Sequence, residues 1–203
     1  TSIRCNMKSI RKIADPFNYW SGEKTLAAGA VGWIVMAAIN RLGGQTTRGV
    51  VSSGYADLTF LQALCQILAT WLVLATLLYI AARLLSKSRI RAVDLYGNQL
   101  LARLALLPIL LVGALPPLRN AALQLTETTP LELAANPPVG LLCFGLAALV
   151  FLVWFYAWSY RGYAVAANLK GWKAVVSYIV CYVLAEVLGG WCTAWVAGWG
   201  HAR

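Results

Sequence analysis

Five apolar stretches separated by short polar segments dominate this sequence, and its lysines and arginines collect on alternate segments. The hydrocarbon of a bilayer offers no partner to backbone N–H and C=O groups, so runs of about 20 apolar residues cross it as α-helices. The expected spans are residues 25–40, 58–82, 99–118, 138–160 and 174–199. The fold class that follows is all-α, a polytopic membrane protein with a bundle of five transmembrane helices over residues 24–203. A basic amphipathic cytoplasmic segment, residues 1–23, precedes it.

Composition agrees. Of 203 residues, 60% are hydrophobic and only 12% charged, with a mean hydropathy of +0.67, whereas a soluble domain is about half apolar and about a quarter charged. The net charge of +10 does not point to nucleic acid, because the cations flank apolar runs and form no separate basic module. Anionic lipid headgroups at the cytoplasmic face are the expected partner. Cys5, Cys65, Cys143, Cys181 and Cys192 form no CxxC pair, and His201 is the single histidine. No metal or cofactor is expected from that inventory. Met7 is read as the natural start.

Charge also sets the expected orientation. Arg4, Lys8, Arg11, Lys12 and Lys24 precede the first span, and Arg83, Lys87, Arg89, Arg91 and Arg103 surround the second polar loop. Arg161, Lys170 and Lys173 occupy the fourth. Thirteen cations thus face Arg41, Arg48, Arg119 and Arg203 on the other side. The N-terminus is expected in the cytoplasm and the C-terminus outside, with the bacterial inner membrane as the location.

Ile3, Met7, Ile10 and Phe17 recur at helical steps, with Arg4, Lys8, Arg11 and Lys12 largely off that stripe. This pattern predicts an interfacial helix on the inner leaflet, ended by Asp15-Pro16. Trp154, Tyr156, Trp158, Tyr160 and Tyr163 at one end, and Trp191, Trp195 and Trp199 at the other, are expected to form aromatic belts. Ala28 and Gly32 have the small-xxx-small spacing that lets membrane helices approach, here within the chain's own bundle. Pro108 should interrupt the third span.

Glu186 is the costliest side chain in an apolar run. It lies about twelve residues into the fifth span, roughly 18 Å deep. An acid there stays protonated against a neighbouring helix, or pairs with a cation, or carries a proton or substrate. Arg103, about one turn inside the third span, is the nearest candidate partner. No hydrolase elbow, phosphate loop or HExxH occurs, and Ser52-Ser53-Gly54-Tyr55 reads as a turn.

Several stretches resemble the Yip-domain family of Ypt/Rab-interacting membrane proteins. Tyr160-Arg161-Gly162-Tyr163, leading through Ala167-Asn168-Leu169-Lys170-Gly171-Trp172-Lys173-Ala174, is similar to that family's loop between spans four and five. Tyr96-Gly97 before Pro108 is similar to its Gly-Tyr pair before a proline, in reversed order. Asp94-Leu95-Tyr96-Gly97 resembles the eukaryotic Asp-Leu-Tyr-Gly-Pro motif, with Asn98 for the proline and before span three rather than span one. The resemblance implies five spans and a cytoplasmic N-terminus. In eukaryotic members it implies roles in vesicle traffic through partner proteins, but the long acidic tail that would engage them is missing. Asp94 and Tyr96 therefore join Glu186 and Arg103 as candidate functional residues. The expected function is non-enzymatic: a scaffold acting through lipid, other membrane proteins or self-association. The alternative is a small transporter or channel subunit using Glu186 and Arg103.

Overall fold

The computed structural model describes residues 16–20, 22–127 and 138–198. The expected interfacial helix, with Arg4, Lys8, Arg11 and Lys12, lies outside the described residues, as does Trp199. Five helices are long and apolar enough to cross a membrane: α1 (Gly22–Gly43), α2 (Phe60–Leu85), α3 (Ala92–Gly113), α5 (Val139–Ala167) and α6 (Trp172–Gly198). A shorter helix, α4 (Pro116–Glu127), follows α3. Between α1 and α2 the chain forms a small antiparallel hairpin, β1 (Gln45–Thr47) and β2 (Ser53–Tyr55), with Gln45 opposite Tyr55 and Thr47 opposite Ser53.

Local chemistry sets the helix ends. Thr59 and Gln62 form a reciprocal capping box at the start of α2. Asn168, left-handed at φ 49°, ends α5 while Leu169 N–H bonds back to Ala164 O at 3.1 Å. Within α3 a 3₁₀ turn, Arg103–Leu106, precedes Pro108. Proline has no N–H to offer Leu104 O, and the N–H of Leu107 bonds that carbonyl instead.

The third span departs most from expectation. It begins at Ala92, not Gln99, and ends at Gly113, while Pro116-Pro117 open α4 rather than close the span. Proline suits a first helical turn. The polar stretch Asp94 to Gln99 is helical because its side chains find partners on other helices. Asp94 Oδ1 accepts from Gly22 N–H at 3.1 Å, and Asn98 Nδ2 donates to Gly162 O at 3.2 Å. Gln99 Nε2 donates to Ser159 O at 2.9 Å, and Gln99 Oε1 accepts from Ser159 Oγ at 2.6 Å. The other spans also extend beyond their apolar runs, α1 to Gly22–Gly43 and α5 through Arg161 to Ala167.

The helices pack as two pairs, α1 along α3 and α2 along α6, with α5 leaning on α3 and its 3₁₀ turn. Gly32 of α1 seats against Leu104 of α3, so the small-residue stripe works inside the bundle. The buried stripe of α6, Tyr178, Cys181, Ala185 and Gly189, recurs at helical steps toward α2. Part of the expected aromatic belt is instead the seam between α5 and α6. Tyr163 is fully buried, and Tyr156 meets Tyr182 edge-on at 4.9 Å. Trp191 and Trp195 are exposed on α6, as a belt requires.

Because α5 leans on α3 through Gln99 and Ser159, Gln99→Leu is expected to cost about 2 kcal/mol by removing both interhelical bonds to Ser159. A melting temperature in detergent equal to that of the wild type would contradict this clamp.

Candidate functional site

The site is built on the hairpin. Gly43 ends α1, and Gly44, at φ 61°, turns the chain back toward the bundle. The hairpin then runs between α1 and α2 and along α6. Several polar groups on the way have fixed partners. Asn40 Nδ2 donates to Thr47 Oγ1 at 3.2 Å. Gln66 of α2 accepts from Thr46 Oγ1 and Thr47 N–H, both at 3.1 Å, and donates to Thr193 O of α6 at 3.3 Å. Gln45 Nε2 donates to Leu110 O at 3.0 Å and Tyr55 Oη to Gly113 O at 2.9 Å, which satisfies carbonyls at the end of α3. Burial pushes the Tyr55 phenol above its ordinary 10.0 while Arg119 pulls it partly back, so it remains a donor.

The tip, residues 48–52, ends on Glu186. Val50 N–H and Val51 N–H donate to Oε2 at 2.8 and 3.2 Å; Ser52 N–H donates to Oε1 at 3.2 Å, and Ser52 Oγ bonds the same oxygen. Both carboxyl oxygens therefore act as acceptors, Oε2 for Val50 and Val51 and Oε1 for Ser52. Gly49 lies against the carboxylate, where a Cβ would overlap it, and a Cβ at Gly190 of α6 would lie 3.1 Å from Arg48 O. Glu186 lies near the middle of α6, so the hairpin tip reaches the mid-length of a helix long enough to span a membrane. Non-helical backbone at that depth is stable only when protein satisfies it, and Glu186 with Gln66 supplies that satisfaction.

Arg103 is 2% exposed, in the 3₁₀ turn near the middle of α3 rather than one turn inside it. It lies within electrostatic reach of Glu186 and Tyr182 without a direct ion pair. Its Nε and Nη2 have no hydrogen-bond partner among the described residues. Asp94 and Tyr96 are elsewhere, toward the N-terminal end of α3. Asp94 holds the first N–H of α1 and faces Arg91 at 3.9 Å, and Tyr96 bonds Thr76 Oγ1 at 2.9 Å while its carbonyl receives Trp71 Nε1 at 3.1 Å. These two residues join helices and do not meet the other pair.

Two cavities flank the hairpin. One of about 300 Å³ is lined by Thr46, Arg48, Gln66, Gly190 and Thr193. The other, of about 120 Å³, is lined by Gln45, Tyr55, Leu110, Gly113 and Phe144. Among the described residues no three His, Cys, Asp or Glu side chains come together as a metal site would need.

Fold and site together define an integral membrane protein: five helices able to span, with a hairpin inserted among them and held by one carboxylate. No protein-family model matches the chain, and neither a curated protein nor a solved structure matches it.

Proposed function

We propose that the chain is a non-enzymatic scaffold of the bacterial inner membrane, of the Yip-domain type, that organises lipid or partner proteins. The observation that carries this reading is the use of Glu186. A carboxylate that moves protons or substrate needs an accessible exchange partner, whereas this one accepts three backbone N–H bonds from its own chain. The costliest side chain in the bundle maintains shape.

The proposed orientation has the N-terminus in the cytoplasm and the C-terminus outside. Support comes from the basic segments at one end of the bundle. Asn168 Nδ2 reaches Ser88 Oγ at 3.1 Å, joining the loop of Lys87 and Arg89 to the turn that carries Lys170. Phe17 packs edge-on against Trp158 at 6.0 Å, bringing the N-terminal segment to the same end. Cations concentrate on cytoplasmic loops.

Arg103 favours the second reading, a small transporter or channel subunit, because two of its buried nitrogens lack partners. Purified protein in liposomes separates the two. The scaffold reading expects proton, potassium and chloride flux no greater than in empty liposomes. Flux that depends on the protein and falls at least tenfold in Arg103→Gln would overturn it in favour of transport.

A further inference from the structure

Where α5 turns into α6 the chain forms an open cavity of about 480 Å³. Its wall includes Tyr160 and Arg161 from α5, Asn168, Lys170 and Gly171 from the turn, and Asn18 from the N-terminal 3₁₀ turn. Among the described residues, the lining carries two cations, a phenol and two amides. Lys87 and Arg89 flank Ser88, which bonds Asn168, so the adjoining loop adds positive charge. Gly171 also abuts the first turn of α6, a 27-residue helix whose leading N–H groups and dipole favour an anion.

Beside this basic cavity is an apolar one. A largely apolar groove of about 330 Å³ runs along α2 and α6, its lining including Leu85, Trp172, Val176 and Val180 together with Lys173 and Ser177. It begins at Trp172, the residue after Gly171, and Trp172 is 72% exposed. An exposed tryptophan between a charged and an apolar surface suits the boundary between headgroups and hydrocarbon.

We propose that the cavity binds the phosphate of an anionic phospholipid, with Arg161 and Lys170 on its oxygens and one acyl chain in the neighbouring groove. The site requires that this end of the bundle meet a leaflet surface. It does not depend on the scaffold reading, because a transporter would hold the same lipid. Free phosphate shares the headgroup's chemistry but has no use for the groove.

The test is native mass spectrometry of the full chain in mild detergent with equimolar phosphatidylglycerol and phosphatidylcholine. The variants are Arg161→Gln with Lys170→Gln, Lys170→Gln alone, and Lys87→Gln with Arg89→Gln as a control. Each cation near an anionic surface is worth about fivefold in binding, so the first variant should lose about thirty-fold of the preference for phosphatidylglycerol and the second about fivefold. The control should keep most of it. Equal losses in control and cavity variants would reduce the site to general surface charge, and no loss in either cavity variant would remove it. Inorganic phosphate supplies the second arm. If it raises the melting temperature of wild type but not of Lys170→Gln, while no phospholipid is retained, the lipid assignment is overturned in favour of a soluble phosphate.

Discussion

Replacing Glu186 with leucine is expected to release the hairpin tip and lower stability by about 3 kcal/mol or more. Three backbone N–H groups, those of Val50, Val51 and Ser52, then lose their acceptor. For a chain of this size the melting temperature should fall by about 6–12 °C. Glu186→Gln is the more informative change. If Glu186 were a protonated acid bonded to a neighbouring helix, glutamine would reproduce it and cost little. Here an amide presents only one acceptor oxygen, and its NH₂ must face N–H donors from Val50 and Val51 or from Ser52. Glutamine should therefore be destabilising by about 2 kcal/mol, between wild type and leucine. Melting curves in detergent decide this, and two variants that match wild type would sink the hairpin-clamp account.

The second large effect is expected at Gly97, where α3 crosses the start of α1. A Cβ there would meet Gly22 O at 2.5 Å and Leu26 N at 2.9 Å. Both are backbone atoms, which cannot rotate away, so the two helices must separate. Gly97→Val is expected to cost about 3 kcal/mol or more, at or beyond the upper end of ordinary overpacking. Gly140→Val on α5 is the matched control, because a Cβ there meets nothing within 4 Å. Size-exclusion profiles and melting curves should show Gly97→Val unfolded or strongly destabilised and Gly140→Val close to wild type. Equal behaviour would mean that α1 and α3 do not pack this closely.

Apolar runs long enough to cross a membrane are legible one segment at a time, so the five long helices follow from the sequence. The start of α3 was not legible. Asp94, Asn98 and Gln99 lower the local hydropathy, and the partners that make them helical, Gly22, Gly162 and Ser159, are supplied by other helices. The hairpin was hidden for a similar reason. Its strands are three residues each, and its polar groups are satisfied by Gln66 and Glu186, the second more than a hundred residues away. A faint signal exists: Thr46-Thr47 and Ser53-Gly54-Tyr55 bracket Val50-Val51 in a loop that needed no β-forming residues, and Gln66 is one of the few polar residues in a largely apolar run. The cost of Glu186 was visible in sequence, but its partner was a stretch of backbone with no side-chain signature.

Hydrogen–deuterium exchange of the hairpin in lipid nanodiscs tests the central claim most directly. The amides of Val50, Val51 and Ser52 should exchange about a hundredfold more slowly than an open loop in wild type. They should lose that protection in Glu186→Leu while the amides of α2 and α6 remain protected. Exchange at open-loop rates in the wild-type protein would contradict the account, because the tip would then not be seated on Glu186.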